Sequence, residues 1–414
     1  MAFQETAPVL DDLLLDVVTV IELSDHDREV AENRYRRLKP HLERPSSPLR
    51  PYLMSSTSLI YPQGSMAIGA TIISGTEDDR FDVDALIDMK VPAHWSDDVL
   101  DHLFDALQGF PDVRKIVRCT RCVQMQFAFM HMDVTILDPM REPRPERVGE
   151  IFHSPDEGNG YRVPSNPYGF AIWYRKNVVY PSRDFLDEIR ERRRTFAVNR
   201  LPDLPLLAKS EQEDLPPVIP ERIDAQQVYA LKLMKRYLNL RYEDRELKRP
   251  PSIYLTKCSS TCGYDPNGVT AQLERYAKKI RAEMSAALLA GEGPDERNPS
   301  YELDRINDRW PTTQEERRAL HDDMNVLLRA LEKARTSEIK DILKILAELF
   351  GERVKDRTQE TFTKRMDQRS GARKVHIERG TGAIITATAV AAPVVARSAV
   401  EVPRHNFHCE DDTE

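Results

Sequence analysis

Apolar residues recur at helical spacing over residues 9–43. Leu10, Leu13 and Leu14 begin the series at intervals that place them on one face of an α-helix. Ser24 interrupts the series at a position typical of an N-cap, directly before a second and more charged stretch. The pattern therefore predicts two consecutive N-terminal helices.

The spacing changes to that of β-strands between residues 58 and 138. The predicted strands are four runs rich in β-branched and aromatic residues: SLIYPQGSMAIGATII (58–73), FDVDALIDM (81–89), KIVRCTRCVQMQFAF (115–129) and HMDVTILDP (131–139). Between the second and third runs, WSDDVLDHLFDALQGF (95–110) has the period of an amphipathic helix. This order of strands around one helix predicts an α/β or α+β core.

From about residue 160 the chain is predicted to be mostly helical. Helical periodicity covers 183–198, 222–243, 252–263, 268–290, 313–335 and 337–366, and proline-rich linkers such as LPDLPLL and DLPPVIPE separate some of these stretches. From about residue 370 an Ala-, Thr- and Val-rich stretch has no helical period, and we expect a flexible, extended tail. The predicted units are residues 1–160 (helix and core), 161–370 (helical lobe) and 371–414 (tail).

The net charge and the distribution of basic residues limit the kinds of ligand that this protein could bind. The 414 residues include 60 Lys and Arg against 68 Asp and Glu, and the net charge of −8 argues against a protein that coats nucleic acid. Basic residues nevertheless form two clusters: Arg114, Lys115, Arg118 and Arg121, and then Arg190, Arg192, Arg193 and Arg194. Local basic patches on an acidic protein suit a small ligand that carries phosphate, although a solvated helix face explains the second cluster equally well.

The sequence has no feature of a membrane or secreted protein. No run of about 18 apolar residues is present, so no membrane span is expected. The N-terminus, MAFQETAPVLDDLLLDVV, carries acids where a secretory signal needs positive charge. The 5 cysteines are an odd number, which argues against a disulfide framework. We therefore expect a cytoplasmic protein.

Asp82 and Asp84 stand two residues apart in FDVDALIDM, and residues i and i+2 of a strand point to the same face. Two carboxylates at that spacing repel each other and raise each other's pKa. A divalent cation removes that cost, and carboxylate oxygens suit Mg²⁺ or Mn²⁺. The alternative is a polar edge strand that faces water.

A third acid, Asp133, lies alone in the apolar run HMDVTILDP, where a carboxylate needs a partner. If the two strands are neighbours, three carboxylates form a two-metal site, in which one metal holds a triphosphate and the other activates a hydroxyl. Upstream, Gly64 lets the backbone approach a phosphate, and Ser65 offers its N–H and hydroxyl. A Gly-Ser pair alone indicates only a turn, but the three features in this order are more specific.

The ordered motifs YPQGSMAIGATI, FDVDALID and HMDVTI resemble the core of the nucleotidyltransferases that share the polymerase-β-type palm. More closely, the chain resembles the bacterial cGAS/DncV-like nucleotidyltransferases, the CD-NTases that make cyclic oligonucleotides in anti-phage defence. Supporting segments are AENRYRRLKPHL (31–42), similar to the family's spine helix, and SNPYGFAIWY (165–174), ALKLMKRYLNLRY (230–242) and RPPSIYLT (249–256), similar to parts of its helical lobe. The resemblance runs from about residue 25 to about residue 365.

The resemblance implies an α+β fold, in which a polymerase-β-like nucleotidyltransferase palm carries an N-terminal spine helix and a C-terminal helical lobe. It implies that a ribose hydroxyl attacks the α-phosphate of an NTP, with ATP among the expected substrates, that pyrophosphate leaves, and that ring closure gives a cyclic di- or trinucleotide. Two Mg²⁺ or Mn²⁺ ions are the implied cofactors. The implied residues are Asp82, Asp84 and Asp133 for catalysis and metal binding, and Gln63, Gly64, Ser65, Lys235 and Ser252 for nucleotide binding.

Two other functions stay open. The enzyme could make a linear oligonucleotide or modify a macromolecule, or the fold could serve only as a nucleotide- or partner-binding module. A regulatory protein that binds the tail is a further expectation, whereas a long nucleic-acid partner is not required.

Two cysteine pairs have spacings that invite a zinc interpretation: Cys119 with Cys122, and Cys258 with Cys262. In a strand-like run, however, residues i and i+3 point to opposite faces, and the pairs are far apart in sequence. We therefore expect free thiols.

Several other residues have a plainer interpretation than a catalytic one. His131 is expected to be a neighbour of Asp133 rather than a catalyst. The aromatic residues Trp173, Tyr174 and Tyr254 could stack on bases but are expected in the core, and Asp78 and Asp79 are expected in an exposed turn.

Overall fold

The computed structural model describes residues 8–54, 58–73, 80–95, 98–140, 146–155, 159–200, 224–371, 375–378, 384–386 and 399–401. The proline-rich linkers and the expected exposed turn at Asp78 and Asp79 lie outside these residues.

The first half of the chain contains most of the strands. In chain order its elements are α1 (Pro8–Ile21), α2 (Asp25–Leu42), α3 (Arg50–Leu53), β1 (Leu59–Gln63), α4 (Gly64–Ala67), β2 (Phe81–Asp88), α5 (Val99–Leu107), β3 (Lys115–Arg118), β4 (Val123–Gln126), β5 (Met130–Pro139), β6 (Gly149–His153) and β7 (Tyr161–Ser165). Ser24 caps α2 through a capping box with Asp27, as its position predicts.

The second half is mostly helical. Its elements are α6 (Pro167–Asn177), α7 (Arg183–Arg200), α8 (Gln226–Arg241), α9 (Ser252–Thr261), α10 (Val269–Ala290), β8 (Arg297–Asn298), β9 (Tyr301–Arg305), α11 (Gln314–Arg335), α12 (Ile339–Phe350) and α13 (Glu352–Gly371). The single helix predicted over 337–366 is two helices, because Gly351 adopts a φ of +97° that ends the first one. The strands β7, β8 and β9 also depart from the mostly helical prediction.

The central sheet has seven strands among the described residues, with the order β1-β2-β5-β4-β3 and with β6 and β7 continuing from the far end of β5. β2 and β5 run parallel, and the other strand pairs of this sheet are antiparallel. Val83 and Ala85 of β2 are fully buried on one face, so their register fixes which residues point to the other face.

Two large hydrophobic cores hold the molecule together. One lies under the sheet and includes α2, α5 and the buried side chains of β2, β4 and β5. The other is formed by α1 with α8, α10, α11 and α12. The structure thus has the predicted α+β architecture, and the sheet and the helical lobe meet where α6 and α9 contact α4 and where α6 contacts β1. No helix among the described residues has the length and apolarity to cross a membrane.

Three short strands follow α13, where an extended tail was expected. β10 (Val375–Glu378) pairs antiparallel with both β11 (Ile384–Thr386) and β12 (Ala399–Glu401). The rest of this segment lies outside the described residues.

Candidate active site

A row of polar residues crosses four adjacent strands of the central sheet. In the strand register, Gln63 of β1 lies opposite Asp84 of β2, Asp84 lies opposite Asp133 of β5, and Asp133 lies opposite Gln124 of β4. The two predicted strands are therefore direct neighbours. The register brings two of the three predicted carboxylates side by side on one face of the sheet.

Asp84 has the most strongly shifted pKa in this row. Burial of its carboxyl group, followed by the negative charges of Asp133 and Asp82, raises its pKa to about 7. The Ser65 backbone N–H donates a hydrogen bond to the carboxylate and opposes the shift. Burial also raises the pKa of Asp133, against the hydrogen bond from Gln124. The site therefore contains more negative charge than its neighbours neutralise.

Gly64 and Ser65 form the start of α4, so the predicted Gly-Ser turn is a single helical turn. Gly64 has a φ of +59°, a left-handed conformation that glycine adopts without strain. A Cβ atom at this position would overlap the carboxylate of Asp84. The missing side chain thus lets the turn approach Asp84 closely.

Lys235 of α8 reaches the same turn from the helical lobe. Its Nζ donates hydrogen bonds to Ser65 Oγ at 3.1 Å and to the Ala70 carbonyl at 3.0 Å. Burial, followed by the charge of Arg249, lowers its pKa to about 8, against the attraction of Asp82 and Asp84. Because this environment disfavours the charged ammonium group, an anion that bound beside it would be stabilising.

Asp82 is the outlying carboxylate. Its side chain is 66% exposed, and its Oδ1 lies 3.6 Å from His131 Nδ1, while His131 Nε2 lies 3.3 Å from an Arg80 nitrogen. Among the described residues, no group of three or more His, Cys, Asp or Glu side chains is arranged to hold a metal ion. Carboxylate oxygens and the excess negative charge of the site still fit a hard divalent cation. To contact such an ion together with Asp84 and Asp133, the side chain of Asp82 would have to turn toward it.

A cavity of about 230 Å³ opens beside the row, between the sheet and the helical lobe. Six of the eight predicted site residues line it: Gln63, Gly64, Ser65, Asp84, Lys235 and Ser252. Asp82 and Asp133 do not line the cavity but lie beside Asp84, on its own strand and on the next one.

The cavity also has lining residues that the sequence did not indicate. Asp304 accepts hydrogen bonds from the Asn166 backbone N–H at 2.9 Å and from Asn298 Nδ2 at 2.8 Å. Asp308 forms an ion pair with Arg121. From the sequence, Arg121 was recognised only as a member of the first basic cluster. No local motif marks these acids: Asp304 lies in the hairpin that follows α10, and Asp308 lies in the turn directly after it.

The second basic cluster is neither a phosphate site nor mainly a solvated face. Arg192 is fully buried and pairs with Asp16 at 2.9 Å, and Arg193 pairs with Glu22 and Asp224. Arg190 and Arg194 are exposed and pair within α7. Two of the four arginines therefore join α7 to neighbouring elements.

The cysteine and aromatic predictions have mixed outcomes. Cys119 and Cys122 flank a tight turn, not a continuous strand, and their side chains contact each other. The prediction that their side chains diverge is therefore wrong, although both thiols are free. Tyr174 and Tyr254 are fully buried, and their hydroxyls contact Ser259 and Glu283, as expected for core residues.

Comparisons with known proteins connect this site to a family. The chain is 31% identical over 409 residues to the cyclic dinucleotide synthase CdnG of Bradyrhizobium diazoefficiens, and the match covers 95% of this chain and 94% of the relative. No protein-family model matches the chain.

Solved structures show the same relationship. The structure of the B. diazoefficiens CD-NTase CdnG in complex with GTP superposes with a TM-score of 0.72 at 30% identity, over 86% of this chain and 98% of that one. Vibrio cholerae DncV cyclic AMP-GMP synthase with a linear intermediate has a TM-score of 0.50 at 13% identity, over 81% and 92% of the two chains, and shows the shared fold alone. The chain therefore belongs to the CD-NTase family of nucleotidyltransferases that form cyclic oligonucleotides.

Proposed function

We infer that this protein joins nucleoside triphosphates into a cyclic di- or trinucleotide second messenger that acts in anti-phage defence. The observation that carries the proposal is the pairing of Asp84 with Asp133 across parallel strands, beside the Ser65–Lys235 hydrogen bond. The CdnG relative was solved in complex with GTP. GTP is therefore proposed as one substrate beside ATP.

The three carboxylates Asp82, Asp84 and Asp133 would hold two Mg²⁺ or Mn²⁺ ions. When bound, such ions neutralise phosphate charge and make a ribose hydroxyl a better nucleophile. The raised pKa of Asp84 supports this assignment, because a cation relieves the repulsion that causes the shift. The side chain of Asp82 would be able to turn toward these ions, since it is mostly exposed and its contact with His131 is a long one of 3.6 Å.

The triphosphate would bind at the turn that begins α4. The Gly64 turn brings the Ser65 backbone N–H to the Asp84 carboxylate, and the Ser65 hydroxyl and the Lys235 ammonium add a donor and a positive charge. Gln63 and Ser252 line the same cavity and would contact the nucleotide. These residues would act mainly by positioning the reacting groups and by stabilising charge on the phosphates.

The chain would work as three units: residues 1–160 carry the acids, residues 161–370 carry Lys235 and Ser252, and the tail from residue 371 binds a regulatory protein. Only short strands of that tail are described. Because none of the proposed site residues lies in the tail, its removal is expected to leave the basal reaction intact and to abolish any response to a partner.

Product analysis tests the proposal. Purified protein is incubated with Mg²⁺ and four NTPs, pyrophosphate release is followed, and the phosphatase-resistant product is identified by mass spectrometry. The Asp82→Asn/Asp84→Asn double variant is expected to be inactive, and full activity of that variant would overturn the proposal. A phosphatase-sensitive or polymer-linked product would show the alternative nucleotidyltransferase activity, and nucleotide binding without turnover would show a binding module.

A further inference from the structure

Two glutamines of β4 form a chain of hydrogen bonds that ends on Asp133. Gln126 Nε2 donates to Gln124 Oε1 at 2.9 Å, and Gln124 Nε2 donates to Asp133 Oδ1 at 3.0 Å. All three side chains are partly buried on the face of the sheet that carries the polar row. Neither glutamine belongs to the motifs that indicate nucleotidyltransferase chemistry.

The strand pattern fixes these glutamines on that face. Val123 and Met125 alternate with them and are fully buried in the opposite core. A shift of β4 by one residue would place both apolar side chains in the cleft and both amides in the core, so the register is strongly specified. Gln124 therefore lies opposite Asp133 for reasons of packing that are independent of any ligand.

The hydrogen bonds also have a fixed direction. A glutamine amide has an acceptor end and a donor end, and Gln126 occupies the acceptor of Gln124. If the Gln124 amide were flipped, its oxygen would face the Asp133 carboxylate and its nitrogen would face another nitrogen. Gln126 thus keeps the donor of Gln124 directed at Asp133 Oδ1.

We propose that Gln124, oriented by Gln126, is a positioning residue that holds the Asp133 carboxylate in the rotamer required to bind a divalent metal ion. The proposal rests on the proposed function, in which Asp133 is a metal ligand. With Oδ1 engaged by Gln124, Oδ2 of Asp133 would be the oxygen that remains available to a metal ion. Outer hydrogen bonds of this kind orient metal ligands and affect metal affinity.

Metal binding can be measured without catalysis. The full chain is titrated with Mn²⁺ in the absence of NTP, and free Mn²⁺ is followed by its electron paramagnetic resonance signal. Gln124→Leu is expected to weaken Mn²⁺ binding about tenfold. Gln126→Leu is expected to weaken it less, because Gln124 can still donate in part of its conformations.

The double variant separates positioning from a general loss of stability. Because Gln126 acts through Gln124, Gln126→Leu should have no further effect on Mn²⁺ affinity in the Gln124→Leu background. Additive effects of the two substitutions, or unchanged affinity in both single variants, would overturn the inference. If Gln124→Leu does not fold, the Gln126→Leu titration alone decides in the same way.

Two controls complete the design. Gln108→Leu makes the same replacement at an exposed glutamine whose side-chain Nε2 donates to the Phe104 carbonyl, and Mn²⁺ affinity is expected to be unchanged. Asp133→Asn tests the proposed function itself. If that variant keeps wild-type Mn²⁺ binding and activity, the proposed function fails. If it loses both while Gln124→Leu loses neither, only the positioning role fails.

Discussion

Asp84 of β2 and Asp133 of β5 lie directly opposite each other in a parallel strand pair, on the face that borders the cavity. Two carboxylates at adjacent register positions destabilise the fold unless a proton or a cation intervenes. The negative charge of Asp133 accordingly contributes to the raised pKa of Asp84. This arrangement costs stability in the absence of a ligand, and that cost can be measured.

Asp84→Asn is expected to stabilise the metal-free protein at pH 8. The folded-state pKa of Asp84 is about 7 against an ordinary value of 3.8, so the folded state binds this proton more tightly than the unfolded state. Stability therefore falls as pH rises from about 4 to about 7, and the full penalty persists above pH 7. The neutral amide removes that penalty, which we place on the order of 2 kcal/mol for a half-buried group.

Thermal unfolding in a metal chelator measures this effect. The melting temperature of Asp84→Asn should exceed that of the wild type at pH 8 and match it near pH 4, and Mg²⁺ should raise only the wild-type value. Asp82→Asn is the comparison: its exposed charge contributes less than that of Asp133 to the Asp84 pKa shift, so it should raise the metal-free melting temperature less than Asp84→Asn does. A variant less stable than the wild type at pH 8 would contradict the electrostatic account.

Gly64→Ala is expected to abolish nucleotidyl transfer. The added methyl group would overlap the Asp84 carboxylate and would also be strained at a φ of +59°. Gly109 provides a matched control, because its φ of +73° is similar and no atom lies within 4 Å of the position its Cβ would take. Gly109→Ala should therefore lose about 1 kcal/mol of stability and keep its activity.

Pyrophosphate release and chemical denaturation of both alanine variants distinguish the two effects. If Gly109→Ala loses activity to the same extent as Gly64→Ala, then backbone strain, and not the contact with Asp84, explains the loss.

The sequence predicted individual helices and strands better than it predicted how they pack and pair. The helices from Asp25 and Ser252 and the strands that carry Asp82 and Asp133 follow from period and capping. Period alone could not show that β2 and β5 pair in parallel with Asp84 opposite Asp133, since pairing depends on the whole sheet. Gly351 is a possible helix stop, but the charged and apolar residues on both sides of it suggested one continuous helix.

Residues far apart in sequence account for most of what was missed. Lys235 reaches Ser65 across 170 positions, and only the family resemblance pointed to it. Asp304, in the β8–β9 hairpin, and Asp308, in the turn after it, line the cavity without a motif that marks them. Arg192 lies in a charged stretch typical of a surface helix, but its partners on α1 are 176 and 180 residues away.

The buried arginines give a prediction about stability rather than catalysis. Asp16 is fully buried and pairs with both Arg192 and Arg365, so Asp16→Ala leaves two buried guanidinium groups short of a partner. We expect a loss of about 3 to 5 kcal/mol in the free energy of unfolding. Asp187→Ala, which removes an exposed pair with Arg190 on the same α7 helix, should cost less than about 1 kcal/mol. Urea denaturation compares the two, and equal losses would contradict the assignment of Arg192 to the core.

Lys235→Gln is expected to weaken nucleotide binding most at neutral pH and to flatten its dependence on pH. The wild-type ammonium has a pKa lowered to about 8, so it is charged at pH 7 and loses its proton as pH rises through 8. Affinity for a non-hydrolysable NTP should therefore fall from pH 7 to pH 9 in the wild type, because the cation at Ser65 is lost. The glutamine carries no charge to lose, and the ratio of the two affinities should shrink from about tenfold at pH 7 toward unity at pH 9. Isothermal titration at a series of pH values measures both proteins. Because Asp84 titrates in each, the readout is the ratio of the two affinities at each pH and not either affinity alone. A ratio that stays constant across this range would show that Lys235 does not act through its charge.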